Sequence, residues 1–319
     1  MRRADPVIVL GTDRSGTSLV ADIVRRWGAY AGPADQLMPA DESNEQGYWE
    51  LRSLQGFLDE LLERATQLAR RHTRTDESSS VGSIWEPHTR SSMRSLARDS
   101  ELRGRANDLV EEMSRPGTPW FWKEPLLCHA LPFWEQLWHH PTYLVTVRNP
   151  FDSARSYQQY NLPSGLAGGV SLIGYGLIRW QAMMVPVLRS LGESSRTLFV
   201  SYEGLLASPT EQCERVDDFL SHCFEDLPGS DGGVERMAGA INPRLHHQRS
   251  NEHSLGECGK ASEQQLQLYD LLVRLSNDER PPIEPRAYDI DGCAAEYLTF
   301  VDAFFALFGA RKCDYSLLR

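Results

Sequence analysis

The sequence predicts an α/β fold, a single P-loop-like domain with a central parallel sheet flanked by helices. Three observations support this. Four short runs around residues 7–10, 119–122, 143–147 and 197–200 are rich in β-branched and aromatic residues. They are continuous rather than alternating, as in strands covered on both faces. Segments of helical period lie between them, which suits the crossovers of a parallel sheet. The first run passes through a Gly/Ser/Thr turn directly into a helix. The 319 residues suffice for one generous domain, assigned to 1–319 with mobile segments near 72–100 and 228–260.

Taken in order, residues 6–20 read PVIVLGTDRSGTSLV. The strand breaks at Gly11, and Leu19, Val20, Ile23, Val24 and Trp27 then recur at helical spacing up to a stop at Gly28. A strand, a tight turn and a helix start form a phosphate cradle, because unpaired N–H groups and the helix dipole both favour an anion there. Residues 29–50 are rich in turn formers and end in an aromatic–acid cluster, Tyr48-Trp49-Glu50. Leu54, Phe57, Leu58, Leu61, Leu62 and Leu68 carry a helical stripe to about residue 70. The polar, Ser-rich stretch 72–92 is expected to be mobile, most of all at Thr75–Ser80.

A charged helix follows from about Asp99 to Met113, then a strand ending at Lys123-Glu124-Pro125. The apolar strand at 143–147 runs into Arg148, with Asn149 as N-cap, Pro150 at the first helical position and Asp152 in the first turn. A Gly-rich link at 162–169 precedes a helix over about 172–191. The fourth strand leads into Ser201-Tyr202-Glu203, and Ser208-Pro209-Thr210-Glu211 reads as a capping box for a helix to about His222. Residues 228–260 look loop-rich, and Tyr297, Phe300, Val301, Phe304, Phe305 and Phe308 predict an amphipathic C-terminal helix.

Composition narrows the function. A net charge of −11 opposes sequence-independent nucleic-acid binding, which needs a basic face, and disfavours a strongly anionic polymer as substrate. No apolar run approaches the ~20 residues of a membrane span, and the first strand leaves no room for a secretory leader behind Arg2 and Arg3. The six cysteines form no CxxC pair or zinc spacing and read as reduced thiols of a cytoplasmic protein. His246, His247 and His253 lack the neighbouring carboxylate or cysteine of a metal site and are expected to be surface loop residues. Trp120, Trp122, Trp134, Trp138 and Trp180 are expected in the core, and Trp85 beside an acceptor pocket.

The first turn nearly spells the triphosphatase pattern G-x-x-x-x-G-K-[ST]. Gly11, Gly16 and Ser18 fit it, but Thr17 fills the lysine slot and the cation lies within the loop at Arg14. Kinases and ATPases of this loop class need that lysine on the β/γ-phosphates. A single phosphate with an adjacent transferable anionic group fits better.

The opening motif and the segment TYLVTVRNPFDSARSYQQY together resemble the sulfotransferases that use 3′-phosphoadenosine 5′-phosphosulfate (PAPS) and release 3′-phosphoadenosine 5′-phosphate (PAP). The resemblance covers about a third of the chain and lies closest to bacterial members with an R-S-G-T-S loop. It implies that Arg14, Ser15, Gly16, Thr17 and Ser18 hold the 5′-phosphosulfate. Arg148 and Ser156, eight residues apart, hold the 3′-phosphate. Lys123 stands where many members place a lysine beside the sulfuryl group. Tyr202, in SYEGLLASP, corresponds to a tyrosine of the adenine pocket, and NEQGYWE (44–50) is similar to a bacterial segment. The resemblance also implies a basic clamp over the 3′-phosphate, with Arg244, Arg249 and Lys260 as its candidates.

The chain also departs from the cytosolic branch. That branch has a loop lysine where Arg14 stands, an aromatic adenine partner where Leu19 stands, and a catalytic histidine where Pro125 stands. Arginine keeps the charge and adds a bidentate fork. Proline takes no proton, so the base lies elsewhere: Glu50, Glu124, His129 and Asp13 are the candidates. Glu50, following two aromatics, is the leading one, in a setting expected to raise its proton affinity. Glu124 reads as the ion-pair partner that orients Lys123.

The resemblance thus implies sulfuryl transfer from PAPS to a hydroxyl or amine of a small or medium acceptor, a natural product, lipid or glycan, without a metal and in the manner of secondary metabolism. A metabolite kinase and a non-catalytic PAP-binding module are the competing readings. Oligomeric state leaves no trace in the sequence.

Overall fold

The computed structural model describes residues 6–41, 44–45, 47–73, 87–161, 172–191, 196–224, 233–242 and 261–284. Four parallel strands form one sheet: Pro6–Leu10 (β1), Trp120–Lys123 (β2), Thr142–Val147 (β3) and Thr197–Ser201 (β4). Their order is β2-β1-β3-β4. Ile8 lies level with Trp122 on one side and Tyr143 on the other, and Val145 with Phe199. The chain steps from β1 outward to β2, then crosses back over β1 to β3. The boundary between β1 and β3 is therefore a topological switch point, where ligands of open α/β sheets bind.

Side-chain alternation divides the strands between two cores. Val7, Val9, Phe121, Leu144, Leu198 and Val200 face one layer, with Thr17–Trp27 (α1), Pro209–Cys223 (α9) and Gly233–Ala238 (α10). Ile8, Leu10, Trp120, Trp122, Tyr143, Val145 and Phe199 face the other. That layer holds Arg52–Thr73 (α2), Pro87–Leu96 (α3), Ser100–Ser114 (α4), Leu127–Trp134 (α5), Leu172–Leu191 (α7) and Glu263–Ser276 (α11). Pro150–Asn161 (α6) lies along α7, and Tyr202–Ala207 (α8) follows β4 without a break. Burial on both faces is why the strand sequences are continuously apolar. Trp122 meets Trp134 edge-on at 4.9 Å and Trp134 stacks on Trp138 at 5.2 Å, closing the core beside β2.

The structure departs from the sequence reading at several points. Residues 87–96, within the stretch expected to be polar and mobile, form α3, whose Met93 is fully buried. Only one face of that helix is apolar, so its Ser-rich composition hides it. The capping box at Ser208 does not form: Ser208 closes α8 through its N–H to the Gly204 carbonyl, and its side chain caps nothing. Ser201 caps α8 instead, its hydroxyl accepting from Gly204 N–H at 3.0 Å. A true capping box occurs at Ser262 and Gln265, opening α11, which the sequence reading missed. The Gly-rich link, the amphipathic stretch at 297–308, the three loop histidines, Trp85, Arg244, Arg249 and Lys260 lie outside the described residues.

Among the described residues, no helix is long and apolar enough to cross a membrane.

Candidate active site

Each strand delivers one polar element at its carboxyl end, and the sheet order sets them side by side: Lys123 from β2, the 11–16 turn from β1, Arg148 from β3 and Tyr202 from β4. In a parallel sheet all carboxyl ends lie on one edge, so four distant segments converge without any long loop.

The β1–α1 turn is held by its own backbone. Ser15 N–H and Oγ both donate to the Thr12 carbonyl, at 3.2 and 2.7 Å. Arg14 sits in the left-handed region at φ 63° and Gly16 at φ 95°. Gly16 is required twice over: its φ is costly for an L side chain, and a Cβ there would collide with the Tyr202 ring. As the α1 N-cap it brings no side chain over the first N–H groups, and the first turn carries no acidic residue, which suits an anion.

Arg148 is buried, and its Nη1 donates to the Arg14 carbonyl at 2.7 Å while its guanidinium lies 4.5 Å from the centre of the Tyr202 ring. Arg14 Nε donates to Ser156 Oγ at 3.1 Å, from the second turn of α6. The residues expected to grip opposite ends of the donor thus lie in direct contact. Asn149 caps α6 through Oδ1, which accepts Phe151 N–H at 2.9 Å. Its own N–H goes to Glu203 at 2.9 Å, tying β3 to α8. Burial raises the proton affinity of both Glu203 and Tyr202.

Lys123 is paired with Glu50, Nζ to Oε1 at 2.5 Å, with both side chains largely buried. This corrects two expectations. Glu50 faces a cation rather than an apolar pocket, and Glu124 does not orient Lys123: its Oε1 accepts Leu126 N–H at 3.3 Å and so helps start α5. Trp49 at φ 58°, with Arg25 against its ring at 4.7 Å, turns the chain immediately before Glu50. Asn44 Nδ2 donates to Ser18 Oγ at 2.8 Å. Segment 44–50 therefore touches both the β1–α1 cradle and Lys123.

The other base candidates are placed less favourably. His129 is buried in α5, where loss of solvation and then the nearby Arg179 charge bring its imidazole down to about 3. It is a weak base. Asp13 is engaged by Arg179 on α7, at 2.5 Å. Cys128, whose Sγ lies 3.8 Å from the Gly11 carbonyl, is pushed up to about 12 by burial and stays a thiol. Sequence reasoning missed the Asn44–Ser18 and Asp13–Arg179 contacts, since nothing local in the chain marks partners 26 and 166 residues apart.

The arrangement offers fixed positive charge and N–H donors for a polyanion beside a lysine–carboxylate pair able to manage a proton. No curated protein matches the chain by sequence. In overall shape it is similar to the sulfotransferase domain of the curacin biosynthetic pathway (13% identity, 88% of this chain and 100% of that one, TM-score 0.46). It is also similar to sulfotransferase STF9 of Mycobacterium avium (15%, 89% and 79%, 0.46) and STF1 of Mycobacterium tuberculosis H37Rv (17%, 77% and 74%, 0.42). The family model of the sulfotransferases matches residues 6–226, a span holding all four strands and every residue of the site just described, and the chain belongs to the sulfotransferase family.

Proposed function

We propose that the protein transfers a sulfuryl group from PAPS to a hydroxyl or amine of a small or medium organic acceptor. The observation that carries this reading is the adjacency of the 11–16 turn, Arg148 and Ser156 at the switch point, joined by the Arg148–Arg14 and Arg14–Ser156 hydrogen bonds. A nucleotide with phosphates at both its 3′ and 5′ positions uses such a surface fully; a simple phosphate does not.

In this reading Gly16, Thr17 and Ser18 at the start of α1, with Ser15 and Arg14, hold the phosphosulfate. Arg148 and Ser156 hold the 3′-phosphate, and Tyr202 flanks the adenine. The acceptor oxygen or nitrogen attacks sulfur in line, the bond between sulfur and the bridging oxygen breaks, and its electron pair stays on the 5′-phosphate of PAP. Lys123 and Arg14 neutralise charge growing on that oxygen. Glu50, whose Oε2 is not the atom bonded to Lys123, takes the acceptor's proton. The electrostatic work falls to side chains and N–H groups, so the reaction is expected to proceed in EDTA.

Thermal unfolding with PAP, PAPS and ATP, each with magnesium or EDTA, tests the reading. PAP should raise the melting temperature equally in both conditions. Stabilisation by ATP that needs magnesium, with none by PAP, would overturn it in favour of a kinase. Stabilisation by PAP with no sulfuryl transfer across a broad acceptor panel would leave a binding module.

A further inference from the structure

The turn assigned to the donor's anion carries a carboxylate of its own. Asp13 immediately precedes Arg14, and a negative side chain there opposes the ligand the turn is built to hold. Its charge is met from across the fold. Arg179, buried on α7, donates to Asp13 Oδ2 from Nε at 2.6 Å and from Nη2 at 2.5 Å. The guanidinium also lies 5.1 Å from the Tyr157 ring centre on α6. The two helices meet closely enough that a Cβ on Gly176 of α7 would clash with Ala154 of α6. Arg179 therefore has little freedom to move away.

We infer that Arg179 is a positioning residue of the donor site: it cancels the Asp13 charge, so that Arg14 and the α1 N–H groups meet the anion with no opposing carboxylate. This rests on the donor reading above. Its electrostatic sign separates it from a merely structural role. Losing Arg179 alone leaves an unbalanced carboxylate next to the bound anion. Losing both charges removes the conflict. A packing role predicts instead that the second substitution adds to the damage.

The test is the PAP dissociation constant of the wild type, D13N, R179Q and D13N/R179Q, with each apo melting temperature recorded. R179Q should bind PAP about tenfold or more weaker, and the double variant should recover most of that loss. D13N, which leaves the guanidinium facing the anion, should bind about two- to fivefold tighter, and it decides the matter if R179Q fails to fold. Wild-type affinity in R179Q, a double variant no better than R179Q, or weakened binding by D13N would overturn the inference. An unresponsive wild type would instead bring down the donor assignment and this role with it.

Discussion

Arg148 and Arg14, two cations 134 residues apart, are joined by a 2.7 Å hydrogen bond from the guanidinium of one to the backbone carbonyl of the other. The left-handed turn at Arg14 makes this possible, because it aims that carbonyl towards β3. Arg148 thus supports the β1–α1 turn, while the Tyr202 ring packs against its guanidinium at 4.5 Å. Mutual repulsion is expected to be relieved when a polyanion binds between them.

Removing that guanidinium should therefore cost binding more than folding. R148A is expected to weaken PAP about 100-fold, the loss of charge-assisted bonds worth about 3 kcal/mol. R148K should recover part of the loss, since it restores charge but not the fork. Calorimetric titration of each variant checks this. An unchanged PAP affinity in R148A would remove Arg148 from the donor site.

Gly16 and Gly28 both have positive φ, at opposite ends of α1, but only Gly16 has a neighbour in the way of a Cβ. G28A should cost backbone strain alone, about 1 kcal/mol, and leave the PAP response intact. G16A must also displace the Tyr202 ring and with it Arg148. It should lower stability by about 1–3 kcal/mol and abolish the PAP-induced rise in melting temperature. Thermal scans of both variants with and without PAP measure the contrast, and equal PAP responses would contradict it.

The Lys123–Glu50 pair gives asymmetric expectations. E50Q keeps the shape and leaves the lysine charged, so PAP should still bind while kcat falls about 10²–10⁴-fold, as for a lost general base. K123M should lose both PAP affinity and kcat, and be less stable by about 3–5 kcal/mol, because a largely buried carboxylate is left unpaired. Steady-state kinetics and denaturant titration separate these effects. An E50Q enzyme with wild-type kcat would move the base elsewhere.

The sheet and its cradle were legible because their signals are local. A run such as Val7–Leu10 followed by Gly11 and a helical stripe needs no distant partner to be read, and Asn149-Pro150 announces the start of α6 on its own. The family resemblance adds the expectation that Arg148 and Ser156 hold a 3′-phosphate, which spacing alone does not provide. The pairings were not legible. Whether Lys123 meets Glu124 beside it or Glu50 across the site depends on side-chain direction: at a strand end, consecutive residues point to opposite faces. Helix α11 went unread although Ser262 and Gln265 form its capping box, and Gln265 is buried against Gln181 of α7 at 3.1 Å, a polar contact no hydrophobic stripe reveals.

His129 supplies a pH signature. Its imidazole lies at about 3 in the folded protein against 6.5 for an ordinary histidine, mainly through loss of solvation in α5. Between those limits the unfolded chain binds a proton that the folded chain refuses, so stability falls as pH drops through this window. The slope approaches about 1.4 kcal/mol per pH unit. Glu203 acts in the opposite sense: burial raises its proton affinity in the fold, so its share of stability declines as pH rises above 4.5. Comparing variants isolates the histidine. In His129→Gln, urea titrations at pH 7, 6 and 5 should show a shallower loss of stability than the wild type, by about 1 kcal/mol per unit, even if the variant is weaker at pH 7. Parallel curves would mean that the imidazole takes up its proton within the fold, and α5 would have to open to water beneath the β1–α1 turn.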